Sequence, residues 1–154
     1  MNQIALEFIK KHEGFSSRVY MDTLGNETIG YGRNIKQYPL SETEKREMLL
    51  NRGNYSKANA LKWLEDHLDE IEKELEPYKW YQKLDDYRKG IILDMAYNMG
   101  VPRVLLFKKM ILALNSQDFV VASKEMLNSG WAIQTKTRAI KLAEHMKNGE
   151  GKVV

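Results

Sequence analysis

The segment from Gly14 to Gly32 differs from the rest of the chain and limits the fold more than any other. In "GFSSRVYMDTLGNETIGYG", Val, Tyr, Thr and Ile are separated by glycines and an L-G-N turn. That is the pattern of short strands joined by tight turns, so a small antiparallel sheet is predicted over residues 15–35. Elsewhere apolar residues recur at spacings of three and four, which is helical. Ile4, Phe8 and Ile9 share one face of a helix that ends at Gly14, and Lys10 and Lys11 stand near its C-terminus, where they complement the dipole. Glu13 then sits at that helix's C-terminal edge. One small sheet inside a helical chain predicts an α+β fold.

Downstream, "SETEKREMLL" begins with an S-x-x-E capping box, Ser41 and Glu44, and Gly53 is expected to close this helix at C′. A long helix is predicted from about Ser56 to Glu76, with Leu61, Leu64, Leu68, Ile71 and Leu75 on one face, an acidic exposed face, and Pro77 as its stop. It reads as a connector between two lobes. The remainder is helical: "DDYRKGIILDMAYNMG", capped by Asp85 or Asp86 and ending at Gly100; "PRVLLFKKMILAL", with Pro102 near its start; a helix from Ser116 to Gly130; and one from Thr135 to Gly149. The tail "EGKVV" is expected to be loose.

The 154 residues suffice for one domain with a real core, and 43% apolar and 29% charged residues fit a soluble globular protein. No apolar run approaches the roughly 20 residues a membrane span needs, and "MNQIALEFIKKHEG" does not read as a secretory signal. The absence of cysteine excludes a disulfide framework and a thiol nucleophile, and points to synthesis in a reducing cytosol. His12, His67 and His145 share no metal-ligand spacing, so neither a metal nor another cofactor is expected. Charge is uneven. Residues 1–76 carry 11 Lys/Arg and 14 Asp/Glu (net −3), and residues 77–154 carry 13 and 7 (net +6). The basic half suits an anionic polymer or a merely solvated surface, and no nucleic-acid partner or stable membrane insertion is expected.

Two carboxylates and a hydroxyl in the opening segment suggest a particular chemistry. Glycoside hydrolysis needs one protonated acid to donate to the leaving oxygen and one ionised carboxylate on the other side of the bond. Glu13, at the end of an apolar helix, suits the first role, and Asp22, in a turn rich in backbone N–H groups, suits the second. Thr28 adds a hydroxyl able to share a water with Asp22. Taken as residue types alone, these fit ordinary capping and turn chemistry better. Their order is more specific. Glu13, Gly14, Tyr20, Asp22, Gly25, Thr28, Ile29, Gly30, Tyr31 and Gly32 together resemble the signature of the phage-type lysozymes, the endolysin muramidases. "LDDYRKGIILDMAYNMG" resembles that family's central helix and "LNSGWAIQTKTRAIKLAEHMKNG" its closing segment, so the resemblance covers nearly all of residues 1–149.

The resemblance implies a lysozyme-like fold in a single domain: a small mixed lobe over 12–60, a connecting helix over 56–76, and a helical lobe of 1–11 and 78–149, with a cleft between the lobes. It implies hydrolysis of the β-1,4 bond between N-acetylmuramic acid and N-acetylglucosamine in bacterial peptidoglycan. Glu13 would be the general acid. Asp22 and Thr28 would position a water, giving inversion, with the carboxyl groups roughly 6.5–9.5 Å apart. Asn34, Tyr97, Asn98, Trp131 and Arg138 become substrate-contact candidates, with packing and a structural hydrogen bond the favoured roles for Trp131 and Arg138. The implied biology is a monomer held in the host cytoplasm until a separate holin-type membrane protein gives it access to the wall. One position departs from the pattern: Arg33 stands where the family usually has His, and an ion pair with an acid between sheet and long helix is expected of it. Two other readings use the same residues: a lytic transglycosylase, which needs only the acid, and a non-catalytic cationic module acting through "RVLLFKKMILAL" and the basic last helix.

Overall fold

The computed structural model describes residues 1–151. Those residues form two compact units, one of Ile9–His67 and one of Met1–Phe8 with the chain from Leu68 onward. The division falls inside helix α1 (Gln3–Glu13) and inside the long helix described below.

The first unit holds the predicted sheet. β1 (Ser16–Met21), β2 (Glu27–Gly30) and β3 (Arg33–Asn34) pair antiparallel in that order. Tyr20 stands opposite Thr28 and Met21 opposite Glu27, with the register slipping between Ser16 and Tyr20. Thr28 stands opposite Asn34, and Ile29 opposite Arg33. β1 is largely exposed, while β2 is buried from Thr28 to Gly30. Ile9, Ile29, Tyr31, Tyr55 and Leu64 form the core of this unit. Gly30 permits that core to close: its φ is +66°, and a Cβ there would lie 3.0 Å from the Tyr55 ring and 3.2 Å from the Ala60 Cβ.

α2 (Glu42–Leu50) carries the predicted capping box. The Ser41 hydroxyl accepts from the Glu44 N–H (3.0 Å), and the Glu44 carboxylate accepts from the Ser41 N–H (2.9 Å). Its end differs from expectation. Arg52, not Gly53, occupies the left-handed C′ position (φ +56°), and Gly53 follows as C″, its N–H reaching the Met48 carbonyl at 2.7 Å. The Arg52 carbonyl is held by the Arg18 guanidinium (3.1 Å), a long-range contact that a local glycine rule does not register. α3 (Lys57–Leu75) buries Leu64, Leu68, Ile71 and Leu75 along one stripe.

The second unit is helical throughout: α4 (Lys79–Gln82), α5 (Asp86–Met99), α6 (Val101–Val104), α7 (Lys108–Asn115), α8 (Phe119–Leu127), α9 (Gly130–Thr135) and α10 (Thr137–Asn148). Asp85 caps α5, accepting from the Arg88 N–H. α5 is buried continuously from Gly90 to Ala96, as befits a central helix, and α8 packs against both α7 and α10.

Three predicted helices in this region are drawn differently. "PRVLLFKKMILAL" is two helices, because the buried positions Val104 and Met110 lie six residues apart and cannot share a face of one helix. The chain breaks at Leu105–Phe107 and restarts, which brings Met110 and Leu114 inward and leaves Leu106 exposed. Ser116 ends α7 rather than starting α8. Gln117 is left-handed (φ +56°), and Asp118 supplies the cap by accepting from the Val121 N–H. Gly130 begins a helix instead of stopping one, since the Ser129 hydroxyl caps α9 through the Ala132 N–H. Thr135 therefore closes α9, and the left-handed Lys136 (φ +51°) separates it from α10. The single turns α4 and α9 were too short to show a period. Of the tail expected to be loose, residues 152–154 lie outside the described residues.

Candidate active site

Glu13 is the last residue of α1, followed by Gly14 at φ +69° with its N–H on the Lys10 carbonyl (3.0 Å). Its side chain is half-buried and lies against the α-carbon of Gly32, just after β2. A Cβ at Gly32 would stand 2.3 Å from Glu13 Oε1 and 2.6 Å from its Cδ, and the Gly32 φ is +73°. At Gly32 the missing side chain makes room for the acid itself.

Asp22 occupies the β1–β2 turn and is held from several sides. Its Oδ1 accepts from the Leu24 N–H (2.9 Å) and the Asn26 N–H (2.8 Å), and its Oδ2 accepts from the Asn26 side-chain amide (3.2 Å). Burial pushes this carboxyl upward, but the hydrogen bonds from Asn26 and Leu24 outweigh it and hold its pKa below the ordinary value. Asp22 is therefore ionised at neutral pH. Thr28 is buried on β2, and its hydroxyl donates to the Asn26 carbonyl (2.9 Å). With that hydrogen committed, Oγ1 faces any further partner as an acceptor.

Tyr20 links the acids. Its phenol is raised above the ordinary tyrosine value by burial first, then by the fields of Glu13 and of Asp22. One side chain thus stands within electrostatic range of both carboxylates. Tyr20 belongs to the signature, but residue types alone gave it no role; its place opposite Thr28 on the neighbouring strand is what brings it to the pair.

Asn34 lies on β3 opposite Thr28, and its side-chain carbonyl accepts from the Lys36 and Gln37 N–H groups (3.1 and 3.2 Å). Arg33 forms the expected ion pair, and its acid is Glu44 of α2, the helix that lies between β3 and the long helix in the chain. Nη1 reaches Glu44 Oε2 at 2.7 Å, and Nη2 reaches Oε1 at 3.2 Å. The guanidinium also donates to Tyr55 Oη and to the Tyr38 and Pro39 carbonyls, and it lies over the Trp63 ring of α3 at 4.7 Å. Glu44 is within reach because the capping box already points its carboxylate back toward Ser41.

The other candidates belong to the helical unit. Trp131 is buried, and its indole N–H donates to the Asn98 side-chain carbonyl (2.7 Å), which leaves the Asn98 amide hydrogens directed elsewhere. With Met99, Arg103, Phe107 and Met110, Trp131 also lines a cavity of about 530 Å³. Tyr97 is half-buried and Asn98 exposed, both on the last turn of α5. Arg138 ties α10 to α5: its Nε and Nη2 stand 2.9 and 2.7 Å from one oxygen of Asp94, a carboxylate with no solvent exposure. Among the described residues no group of three or more His, Asp or Glu is placed to hold a metal ion.

Comparison with known proteins shows the family to which the chain belongs. The family described as phage lysozyme matches residues 10–145. A probable T4-type lysozyme 1 of Dictyostelium discoideum is 30% identical, the match covering 93% of each chain. The probable T4-type lysozyme 2 of the same organism is 27% identical over equal shares. The pre-baseplate central spike protein Gp5 of Enterobacteria phage T4 is 30% identical across 90% of this chain, which spans 26% of that longer protein. The match takes in Glu13, Asp22, Thr28 and the helices of the second unit, and the chain belongs to the phage lysozyme family, a glycoside hydrolase of the lysozyme type.

Proposed function

We propose that this lysozyme-type peptidoglycan hydrolase cleaves the β-1,4 bond between N-acetylmuramic acid and N-acetylglucosamine by single displacement, with inversion. Glu13 donates its proton to the glycosidic oxygen as the C–O bond breaks. A water held between Asp22 and Thr28 attacks the anomeric carbon from the opposite face and passes its proton to Asp22. The observation that carries this reading is the division of labour at the hairpin. Asp22 is kept ionised by its hydrogen bonds, and Thr28 has its hydrogen engaged by the Asn26 carbonyl, so both present acceptors to the same water. In the helical unit, Tyr97 and the free amide hydrogens of Asn98 suit sugar rings and N-acetyl groups, with Trp131 and Arg138 holding that corner of α5 in place. Action as a monomer, on wall reached from the host cytoplasm through a separate membrane-permeabilising protein, completes the proposal.

Product chemistry tests it. Digestion of purified wall in ¹⁸O water is expected to place one ¹⁸O at each new reducing end, and proton NMR of the first-formed product should show the α-anomer. Anhydro-muramyl products without label would establish a transglycosylase instead, and an initial β-anomer would establish retention.

The Glu13–Gly32 contact gives a second expectation. Gly32→Ala must displace the acid, because the new methyl would occupy the space of its carboxyl group. Turnover on wall is expected to fall by about ten- to a hundredfold, the scale of an ångström's misplacement. The left-handed backbone adds a stability loss of about 1 kcal/mol, readable in a thermal melt. An alanine variant of unchanged turnover would show that the acid tolerates relocation.

A further inference from the structure

The turn residue Asn26 makes four hydrogen bonds to the proposed water-holding pair. Its backbone N–H donates to Asp22 Oδ1 (2.8 Å) and its side-chain amide to Asp22 Oδ2 (3.2 Å), so it grips both oxygens of one carboxylate. Its carbonyl accepts from Thr28 Oγ1 (2.9 Å) and from the Asp22 N–H (2.9 Å). Asp22 and Thr28 are six residues apart and meet through this one residue. The backbone contacts are available to any amino acid that keeps the turn. The contact to Oδ2 requires a short side chain carrying an N–H donor, which Asn supplies.

We infer that Asn26 is a positioning residue of the reaction, whose side-chain amide fixes the carboxylate plane of Asp22 while its carbonyl turns the Thr28 lone pairs toward the same water. The inference rests on the proposed roles of Asp22 and Thr28. It deepens them by making the geometry of the water site depend on a residue that touches neither substrate nor water. Two donors from one residue on two oxygens of one carboxylate stop rotation about the Cβ–Cγ bond. The Leu24 and Asn26 N–H groups both hold Oδ1, and the amide is what fixes Oδ2. The arrangement also favours the charged form of Asp22, so the amide extends to lower pH the range in which the base is ionised.

Asn26→Ala removes the side-chain donor and keeps the backbone ones; Asn26→Asp puts a second carboxylate beside the first. On purified wall, Asn26→Ala is expected to lower kcat about tenfold with KM within twofold, and Asn26→Asp to lower it further. In both, the acid limb of the pH–rate profile should move to higher pH, because Asp22 gains its proton earlier as pH falls, with Asn26→Asp shifted more. A merely structural role would lower the melting temperature without moving that limb. The titration of Asp22, followed by carboxyl ¹³C NMR without substrate, reads the clamp independently of activity. A midpoint that is the same in wild type and Asn26→Ala overturns the inference, as does a loss of kcat with an unmoved acid limb. Asn26→Ser, the milder change, carries the same measurements if Asn26→Ala melts too low. Full activity in Asp22→Asn would overturn the underlying reading of the site, a failure the NMR titration distinguishes from failure of the clamp.

Discussion

Glu13→Gln is expected to abolish wall clearing, with turnover reduced by about 10³-fold or more, while the protein stays folded. Glutamine has the size and shape of the protonated acid and can hydrogen-bond where the acid would. It cannot give up a proton as the glycosidic bond breaks, so the loss appears in kcat rather than in binding. Stability should change little. Glu13 ends α1, where the negative end of the helix dipole disfavours a carboxylate, and the rest of that last turn is Lys10, Lys11 and His12. Removing the charge is thus expected to leave the melting temperature within about 3 °C of wild type, the scale set by a helix-end charge in a protein of this size. Turbidity clearing and a thermal melt on one preparation separate the two effects. Undiminished clearing by the variant would transfer the activity to the basic helices, outside glycoside chemistry altogether.

Glu13 and Asp22 stand out in the linear sequence as candidates because their surroundings are local. The helix stop at Gly14, the turn at Asp22 and the capping box at Ser41 and Glu44 are each set by residues within a few positions, and such signals survive in a linear reading. The pairs that close the fold are different. Arg138 finds Asp94 across 44 residues, and Trp131 finds Asn98 across 33. Nothing about an arginine on a basic helix names its carboxylate. The same holds for Gly32, whose need for a positive φ could be anticipated but whose clearance for the Glu13 carboxyl depends on how α1 meets the hairpin. Asn26 is hidden in the sequence for a third reason. An asparagine in a turn is explained by the turn, and its grip on Asp22 emerges only when the hairpin places the two side by side. A helix boundary is hidden where one cap adjoins another: glycines commonly stop helices, but the Ser129 hydroxyl beside Gly130 starts one.

Arg33→Ala is the substitution expected to cost most in stability, about 3–5 kcal/mol, the range for removing one partner of a buried ion pair. Arg33 has almost no solvent exposure, and its five hydrogen bonds are shared among Glu44, Tyr55 and two backbone carbonyls. Its loss would leave the Glu44 charge without its cation, held only by the Ser41 N–H and the Tyr55 hydroxyl, and for a chain of this length the melting temperature should fall by roughly 10 °C or more. Lysine should not rescue it, since one ammonium group cannot span acceptors placed around a planar fork. The partner's titration gives the pH signature. Burial works against the Glu44 charge, but Arg33, the Ser41 N–H and Tyr55 overcome it and bring its pKa from 4.5 to about 2. A carboxylate depressed on folding stabilises the fold above its unfolded value and loses that contribution as pH falls through the window from about 4.5 to about 2. Wild type should therefore keep the ion pair's full contribution from pH 5 to pH 9 by this account, because arginine does not titrate there. Arg33→His should behave oppositely. A histidine paired with Glu44 has its pKa raised by folding, so its stabilisation is complete below about pH 6.5 and disappears as pH rises through the folded value. Melts at pH 5.5 and 8.5 check this: the histidine variant should lose stability between the two relative to wild type, and parallel curves for the two proteins would mean that the Arg33–Glu44 pair does not govern the stability of this unit.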